Sequence, residues 1–265
     1  MKVSLITACY NSAATIRTCF DSVLSQQGID LEYIVVDGGS KDDTVGAVKD
    51  FDRKVRESGR QDFSFKWLSE RDKGMYDAIN KGIAMATGDI VGILNADDVL
   101  ASPYTLSHIA AAFTPGIDAL YADIRFVRAG DSLETLRVAN TVRYCSAAKW
   151  KPWMFRFAAM VPHPSFYVRR ECFARLGGYS LDYRICADFE LELRYLYLAK
   201  LRSAYLHECV VVMRMGGAST AGWRSNVEIN LEDLRDLRSH GIWSCLPLIY
   251  LKYLFKIWGF VFKRG

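Results

Sequence analysis

The sequence lacks paired cysteines, internal repeats, low-complexity segments and a clear linker. Its seven cysteines are odd in number and form no CxxC pair, and several lie inside apolar runs. This pattern argues against a disulfide framework and predicts reduced core cysteines in a cytosolic protein. The absence of linkers and repeats favours one domain with a tail over a string of modules.

A basic patch is also lacking over most of the chain. The formal net charge is +4, and the last 25 residues hold Lys252, Lys256, Lys263 and Arg264 with no acid, so residues 1–240 balance to zero. This distribution argues against nucleic acid as a partner. About half of the residues are hydrophobic and 24% are charged, which is a globular composition.

Apolar runs and helical spacings alternate through the first hundred residues. Buried strands are predicted over residues 3–8, 31–37, 63–70 and 89–98. Amphipathic helices are predicted over residues 11–27, 42–55 and 75–86. Such alternation predicts parallel strands with helices on both faces of the sheet.

The alternation weakens after residue 115. A strand is predicted over residues 119–127, and residues 129–160 are irregular and rich in Trp, Phe, Arg and Lys. The rest of the chain is predicted to form a short strand and a helix over 163–180, a helix over 187–199, a strand over 210–220 and a helix over 225–241.

Polar side chains follow each of the first four predicted strands. They are Tyr10, Asn11, Asp37, Arg71, Asp72, Asn95, Asp97 and Asp98. In parallel sheets, ligands bind beyond the carboxyl ends of the strands, so these residues are expected to converge on one binding edge. The alternative is that each of them merely solvates a loop.

The residue types at this edge indicate a nucleoside diphosphate that carries a transferable group. Adjacent Asp97 and Asp98 suit Mg²⁺ or Mn²⁺, which prefer oxygen ligands and complete their shells with phosphates. A cation there would stabilise a diphosphate leaving group. Asp37 can accept a hydrogen bond from a base or a ribose, and Tyr10 can stack on a base.

A displacement on such a donor also requires a base that deprotonates the acceptor. Asp188 is one candidate, and it is followed by Glu190 and Glu192. The alternative for Asp188 is an acid placed to favour a helix N-terminus. His163 is the other candidate, either as a base or as a metal ligand, and the alternative is a structural histidine.

Five runs of sequence resemble the inverting family 2 glycosyltransferases of the GT-A fold. They are "SLITACYNSAATI", "YIVVDGGSKDDT", "SERDKGMYDAINKGIAMATGDIVGILNADD", "HPSFYVRRECFARLGGY" and "ADFELELR". The resemblance implies an α/β fold with a Rossmann-like, doubly wound mixed sheet. It further implies that Asp37 contacts the base, that Asn95-Ala96-Asp97 occupies the DxD metal position, and that Asp188 is the catalytic base.

The expected site follows from these two lines of argument. The nucleotide-sugar contacts are expected to be Thr7, Ala8, Tyr10, Asn11, Asp37, Arg71, Asp72, Asn95, Ala96 and Asp97. The expected ligands of Mn²⁺ or Mg²⁺ are Asp97, Asp98 and His163. Because Asn95 replaces the first DxD acid, Asp97 is the firmest of these ligands, and either Asn95 or Asp98 meets the ribose. The "MRMGGAST" turn resembles a family feature near the acceptor or the diphosphate, with Ser219 as its polar contact.

The resemblance implies transfer of a sugar from a nucleotide sugar, most often a UDP-sugar, to a saccharide acceptor. Similar proteins build exopolysaccharide, capsule or O-antigen on polyprenyl-diphosphate carriers at the cytoplasmic face of the inner membrane. Two rival functions are a sugar-phosphate nucleotidyltransferase and a nucleotide-sugar-binding protein without turnover. The first is disfavoured because "CYNSAATI" has no cation before Arg17, and the second because Asp188 is present.

The expected division is a catalytic domain over 1–240 and a tail over 241–265. The donor is expected to bind residues 1–100 and the acceptor residues 101–240. The tail is predicted to form a basic amphipathic helix. Its residues Lys252, Lys256 and Lys263 fall in one stripe, which is expected to face anionic lipid head groups. The alternative is a helix that packs on the catalytic domain or in a homodimer interface.

Overall fold

Strand and helix alternate regularly through the first hundred residues of the computed structural model, which describes residues 1–128, 130, 132–183, 185–215 and 223–253. The elements of this part are β1 (Lys2–Cys9), α1 (Ile16–Leu24), β2 (Asp30–Asp37), α2 (Thr44–Ser58), β3 (Phe63–Ser69), α3 (Met75–Met85) and β4 (Ile90–Ile93). The predicted alternation is therefore confirmed.

The second half of the chain contains more regular structure than its sequence pattern indicates. Its elements are β5 (Val99–Leu100), α4 (Thr105–Ala112), β6 (Ala119–Val127), α5 (Leu133–Val138), β7 (Thr141–Cys145), β8 (Tyr167–Arg169), α6 (Arg170–Leu176), α7 (Ala187–Glu192), β9 (Ser203–Arg214), α8 (Trp223–Ser239) and α9 (Leu246–Tyr250). Two 3₁₀ segments, Pro152–Phe157 and His163–Ser165, precede β8, and a π-helical segment, Leu193–Leu198, extends α7.

The strands form one mixed sheet in the order β3-β2-β1-β4-β8-β6-β9-β5, with β7 paired to the edge of β6. The pairs among β1 to β4 are parallel, β8 runs antiparallel to both β4 and β6, and β9 runs parallel to β6. Because β2 and β3 lie on one side of β1 and β4 on the other, the strand order reverses between β1 and β4. Ligands bind at such a point in doubly wound sheets.

Helices cover both faces of the sheet, as the alternation along β2 shows. Tyr33 and Val35 pack in the cluster beneath α1 and α2, where the rings of Phe20 and Phe51 stack at 4.5 Å. Ile34, between them, packs in the hydrophobic cluster on the opposite face of the sheet. Side chains of a strand alternate between its two faces, so a fully buried strand such as β2 serves both cores.

The beginning of the predicted tail is part of the folded domain. Ile242 and Ile249 are buried in the same core cluster as α7 and α8. Lys252 is 5% exposed, and its Nζ lies 2.7 Å from Asp233 Oδ2 on α8. The prediction that Lys252 faces lipid head groups is therefore wrong, because the buried carboxylate of Asp233 pairs with it. Lys256 and Lys263 lie outside the described residues.

Candidate active site

The parallel register places the ends of β1, β2 and β3 side by side. Cys9 lies opposite Asp37, and Asp37 lies opposite Ser69. The β4 ladder continues past Ile93, since the Leu94 N–H donates to the Ile6 carbonyl oxygen at 2.9 Å. The four polar strand ends thus meet at one edge, as the sequence predicts.

Asp37 organises the loop that follows β2. Its side chain is fully buried, and Oδ2 accepts from the Ser69 hydroxyl at 2.7 Å and from the backbone N–H groups of Gly39 and Ser40 at 3.2 and 3.1 Å. The Ser40 hydroxyl and, at 3.9 Å, the Cys9 thiol donate to its other oxygen, Oδ1. A carboxylate with this many donors can also meet a base N–H only if one of them, such as the Ser40 hydroxyl, turns away.

Asn11 ties the loop after β1 to the loop after β2. Its backbone lies in the left-handed region (φ 49°), which Asn tolerates better than most residues. Its Oδ1 accepts from the Lys41 N–H at 2.8 Å, and its own N–H donates to the Ser40 hydroxyl at 2.8 Å. The preceding ring, Tyr10, is 57% exposed and is free to stack on a base.

The loop after β3 packs closely against the loop after β2. Asp72 accepts from the Gly74 N–H at 2.9 Å, and its carboxylate lies directly against Gly38. A methyl group on Gly38 would lie 3.0 Å from the Asp72 Cγ and closer still to Oδ2. Arg71 is exposed beside this contact. The glycine therefore permits the approach that holds Asp72 at the edge.

The end of β4 carries two unlike carboxylates. Asp98 is 1% exposed, its Oδ2 accepts from the Asn95 amide at 2.8 Å, and its Oδ1 has no hydrogen-bond partner among the described residues. Burial, together with the neighbouring charge of Asp97, raises the pKa of Asp98 well above its usual range. Asp97 is partly exposed. The Arg214 guanidinium holds this turn by donating to the Asp97 carbonyl oxygen.

These residues fit a divalent cation only together with a ligand. No group of three His, Cys, Asp or Glu side chains converges in the described part of the chain, so a closed protein cage is not formed there. Mg²⁺ and Mn²⁺ can instead be held by one or two carboxylates plus substrate phosphates. The partly exposed Asp97 and the unpartnered oxygen of Asp98 are suitable for that arrangement.

Asp188 lies in the first turn of α7, where the sequence places it. It is partly buried, and its Oδ1 accepts from the Phe189 N–H at 2.9 Å. The Tyr76 hydroxyl donates to the Ile185 carbonyl oxygen and also lies 3.3 Å from the same Asp188 oxygen. Withdrawal from water raises the pKa of Asp188 to about 6, against the lowering effect of these hydrogen bonds. A carboxylate with such a pKa is a suitable general base near neutral pH.

His163 is linked to Asp188 through two tyrosines, and both of its ring nitrogens are engaged. Nδ1 is 3.3 Å from Glu192 Oε1, and Nε2 is 2.9 Å from the Tyr179 hydroxyl. The Tyr179 ring stacks on Tyr76 at 5.5 Å, and Tyr76 reaches Asp188. A metal ligand needs a free nitrogen, so this geometry favours the structural alternative for His163. Sequence reasoning did not find Tyr76 or Tyr179.

The remaining predicted contacts lie in three different settings. Thr7 is fully buried, and its hydroxyl donates to the Leu94 carbonyl oxygen at 2.8 Å, so its side chain belongs to the core rather than to the edge. Ala8 is partly buried and Ala96 is buried, and either can offer only its main chain to a ligand. Ser219 lies outside the described residues.

The family model named glycosyl transferase family 2 matches residues 4–176. The chain belongs to this family. It is therefore a glycosyltransferase, and its mixed sheet with helices on both faces is the GT-A fold. The matched segment contains all four polar strand ends and ends before Asp188.

The glycosyltransferase is similar to proteins of known sequence and structure. It is 30% identical over 239 residues to the "PGL/p-HBAD biosynthesis glycosyltransferase" of Mycobacterium tuberculosis, covering 88% of this chain and 83% of that protein. It resembles S. aureus TarS 1-349 in complex with UDP-GlcNAc, with a TM-score of 0.64 and 17% identity over 89% of this chain and 66% of that one. It also resembles the mannosyltransferase PcManGT of Pyrobaculum calidifontis in complex with GDP-Man and Mn²⁺. That match has a TM-score of 0.63 and 21% identity over 98% of this chain and 72% of that one.

Proposed function

We propose that the glycosyltransferase moves a sugar, with inversion, from a nucleotide-sugar donor to a saccharide acceptor. The observation that carries this proposal is the separation of two kinds of carboxylate. Asp97 and Asp98 stand at the end of β4, beside the loops that suit a nucleoside diphosphate. Asp188 lies on α7, where burial raises its pKa to about 6, a value that suits proton transfer.

The donor half of the proposal rests on the edge of the sheet. The exposed ring of Tyr10 is available for the base, the Asp37 loop for the base or the ribose, and Arg71 for the diphosphate. Asp97 and Asp98 would hold Mn²⁺ or Mg²⁺, with Asn95 orienting Asp98 through its amide. When bound, the cation would neutralise charge that builds on the departing diphosphate.

The base half of the proposal rests on Asp188. In its ionised form it would accept the proton from the acceptor hydroxyl as that oxygen attacks the anomeric carbon of the donor. The bond from that carbon to the diphosphate oxygen breaks on the opposite face, which inverts the configuration. The Tyr76 hydroxyl, held between the Ile185 carbonyl oxygen and Asp188 Oδ1, would help to orient the carboxylate and would leave its second oxygen for the acceptor.

The proposal also covers the identity of the donor, the acceptor and the place of the reaction in the cell. A UDP-sugar is the preferred donor, in line with the UDP-GlcNAc bound by TarS, whereas PcManGT binds GDP-Man. The acceptor would be a saccharide on a polyprenyl-diphosphate carrier, in assembly of exopolysaccharide, capsule or O-antigen at the cytoplasmic face of the inner membrane. None of the described helices combines the length and the apolar run that a bilayer crossing needs.

A donor screen tests this proposal directly. We expect UDP-sugars with Mn²⁺ to raise the melting temperature more than GDP- or dTDP-sugars do, because a ligand of the native state stabilises it by mass action. The same donors without Mn²⁺ should give a smaller shift. If no nucleotide sugar raises the melting temperature with Mn²⁺ present, the donor assignment is wrong.

A further inference from the structure

One long stretch of the chain carries many cations and no acid, and the proposed chemistry does not use it. Residues 135–170 contain seven Arg and Lys residues and neither Asp nor Glu. Residues 241–265 likewise contain four cations and no acid. The rest of the chain holds 23 of the 34 basic residues and all 30 acidic residues. The first segment therefore carries an unbalanced positive charge, whereas in the second Lys252 is paired with Asp233 and the other three cations lie outside the described residues.

The first segment presents an aromatic ring and three cations to solvent. Within residues 149–157, Trp150 and Phe155 are buried and anchor the segment, whereas Trp153 is 56% exposed. Lys149, Lys151 and Arg156 are exposed. Trp153 and Arg156 are three residues apart in a 3₁₀ segment, so they lie on the same side of it.

The second segment adjoins the first through a hydrogen bond. The Ser244 hydroxyl donates to the Arg156 carbonyl oxygen at 2.7 Å. Trp243, next to Ser244, is 71% exposed, and Tyr250 of α9 is 46% exposed. Ile249 is buried and fixes α9 in place. We call the combined surface the basic aromatic face: Lys149, Lys151, Trp153, Arg156, Trp243 and Tyr250.

We propose that the basic aromatic face docks on the surface of an anionic lipid bilayer. Exposed tryptophan and tyrosine rings beside lysine and arginine are the side chains that anchor proteins at the head-group level. Cations near an anionic leaflet are attracted to it, and neither segment holds an acid that would oppose this attraction. The charge of the face thus complements the bilayer.

The basic aromatic face is structurally joined to the base. The buried ring of Phe155 packs edge-on against Phe189 at 5.6 Å, and Phe189 directly follows Asp188. Docking would therefore bring the surroundings of Asp188 close to the lipid surface. This consequence rests on the proposed function, because it matters only if the acceptor is carried by a lipid. The docking itself is measured without donor or acceptor.

Vesicle sedimentation of the full chain tests the proposal. We expect the protein to sediment with phosphatidylcholine vesicles that contain phosphatidylglycerol, and not with vesicles of phosphatidylcholine alone. Lys149→Glu/Lys151→Glu/Arg156→Glu should weaken this binding at least about tenfold, since each cation near an anionic leaflet contributes to the attraction. The matched control is Lys49→Glu/Arg53→Glu/Lys54→Glu on α2, which should bind as the wild type does.

A second pair of variants tests the aromatic contribution and the folding of the protein. Trp153→Ala/Trp243→Ala should also lose vesicle binding, whereas Tyr104→Ala, at a ring 50% exposed elsewhere, should not. The melting temperature and the donor-induced shift should stay unchanged in all variants, which separates failed docking from failed donor binding. Wild-type sedimentation of both face variants would overturn the proposal. The proposal would also be overturned if the wild type does not bind anionic vesicles but forms a dimer that these variants dissociate.

Discussion

At the scale of single residues, the proposed role of Asp188 as the base depends on the surroundings of its carboxylate. Its partial burial raises its pKa, whereas the hydrogen bonds from the Phe189 N–H and from the Tyr76 hydroxyl lower it. The net pKa of about 6 leaves the carboxylate ionised at neutral pH but still basic enough to accept a proton. We therefore infer that Tyr76 positions the proposed base.

This balance predicts a pH profile that one substitution shifts. Because only ionised Asp188 accepts a proton, kcat/KM should rise with pH and level off above about 6. Tyr76→Phe removes a hydrogen bond that favours the ionised form, so the rising limb should move to higher pH. Tyr144→Phe is the control, since that hydroxyl bonds Asp123 instead, at 3.0 Å. An unmoved limb in Tyr76→Phe would show that the tyrosine does not act on the base.

Residues that follow strands or open a helix could be predicted from the sequence, whereas their long-range partners could not. Asp37, Asp97 and Asp188 each stand where local periodicity places a strand end or a helix start. Tyr76 meets Asp188 across 112 residues, and no local pattern encodes such a contact. The burial of Thr7 and the engagement of both nitrogens of His163 likewise depend on the assembled core.

At the scale of elements, the proposed donor site depends on how closely the loops after β2 and β3 approach each other. Gly38 allows this approach because it has no Cβ, and Asp72 is fixed on the other side by the Gly74 N–H. The parallel strands β1 to β4 are predictable because buried strands alternate with amphipathic helices. β8 is only three residues long and runs antiparallel to β4, and this reversal leaves no periodic signal.

Gly38→Ala should therefore weaken donor binding while the protein stays folded. The added methyl group would push the Asp72 loop away from the edge. Gly46→Ala is a matched control, because its methyl would meet the Asp43 carboxylate, whose side chain is 77% exposed and can swing aside. Calorimetric titration of a UDP-sugar with Mn²⁺ measures the difference. Equal affinity in the two variants would contradict the role given to the loop contact.

At the scale of the whole molecule, the segment over residues 242–252 is joined to the rest of the domain by a buried ion pair. Lys252 and Asp233 are 5% and 3% exposed, so neither charge is solvated when its partner is absent. Asp236 of α8 also accepts a hydrogen bond from the Tyr183 hydroxyl at 2.7 Å, and Tyr183 precedes Asp188 by five residues. α8 thus links the segment that holds Lys252 to the segment that carries Asp188.

Lys252→Met should lower the free energy of unfolding by about 3–5 kcal/mol, because it leaves the carboxylate of Asp233 buried and unpaired. Lys252→Met/Asp233→Leu should recover most of that loss, since it removes both charges. Lys54→Met, which breaks a solvent-exposed pair with Asp21, should change stability little. Urea unfolding measures all three. A double variant as unstable as the single one would contradict the ion-pair account.

The central claim is that Asp97 acts on the donor and Asp188 on the acceptor. The most direct measurement combines calorimetric donor affinity, with and without Mn²⁺, and turnover for Asp97→Asn and Asp188→Asn. We predict that Asp97→Asn loses the Mn²⁺-dependent part of donor affinity together with activity. Asp188→Asn should keep donor affinity and lose about 10²–10⁴-fold in kcat, the range typical of a lost general base. Unchanged Mn²⁺-dependent binding in Asp97→Asn, or donor affinity that falls as steeply as turnover in Asp188→Asn, would contradict the claim.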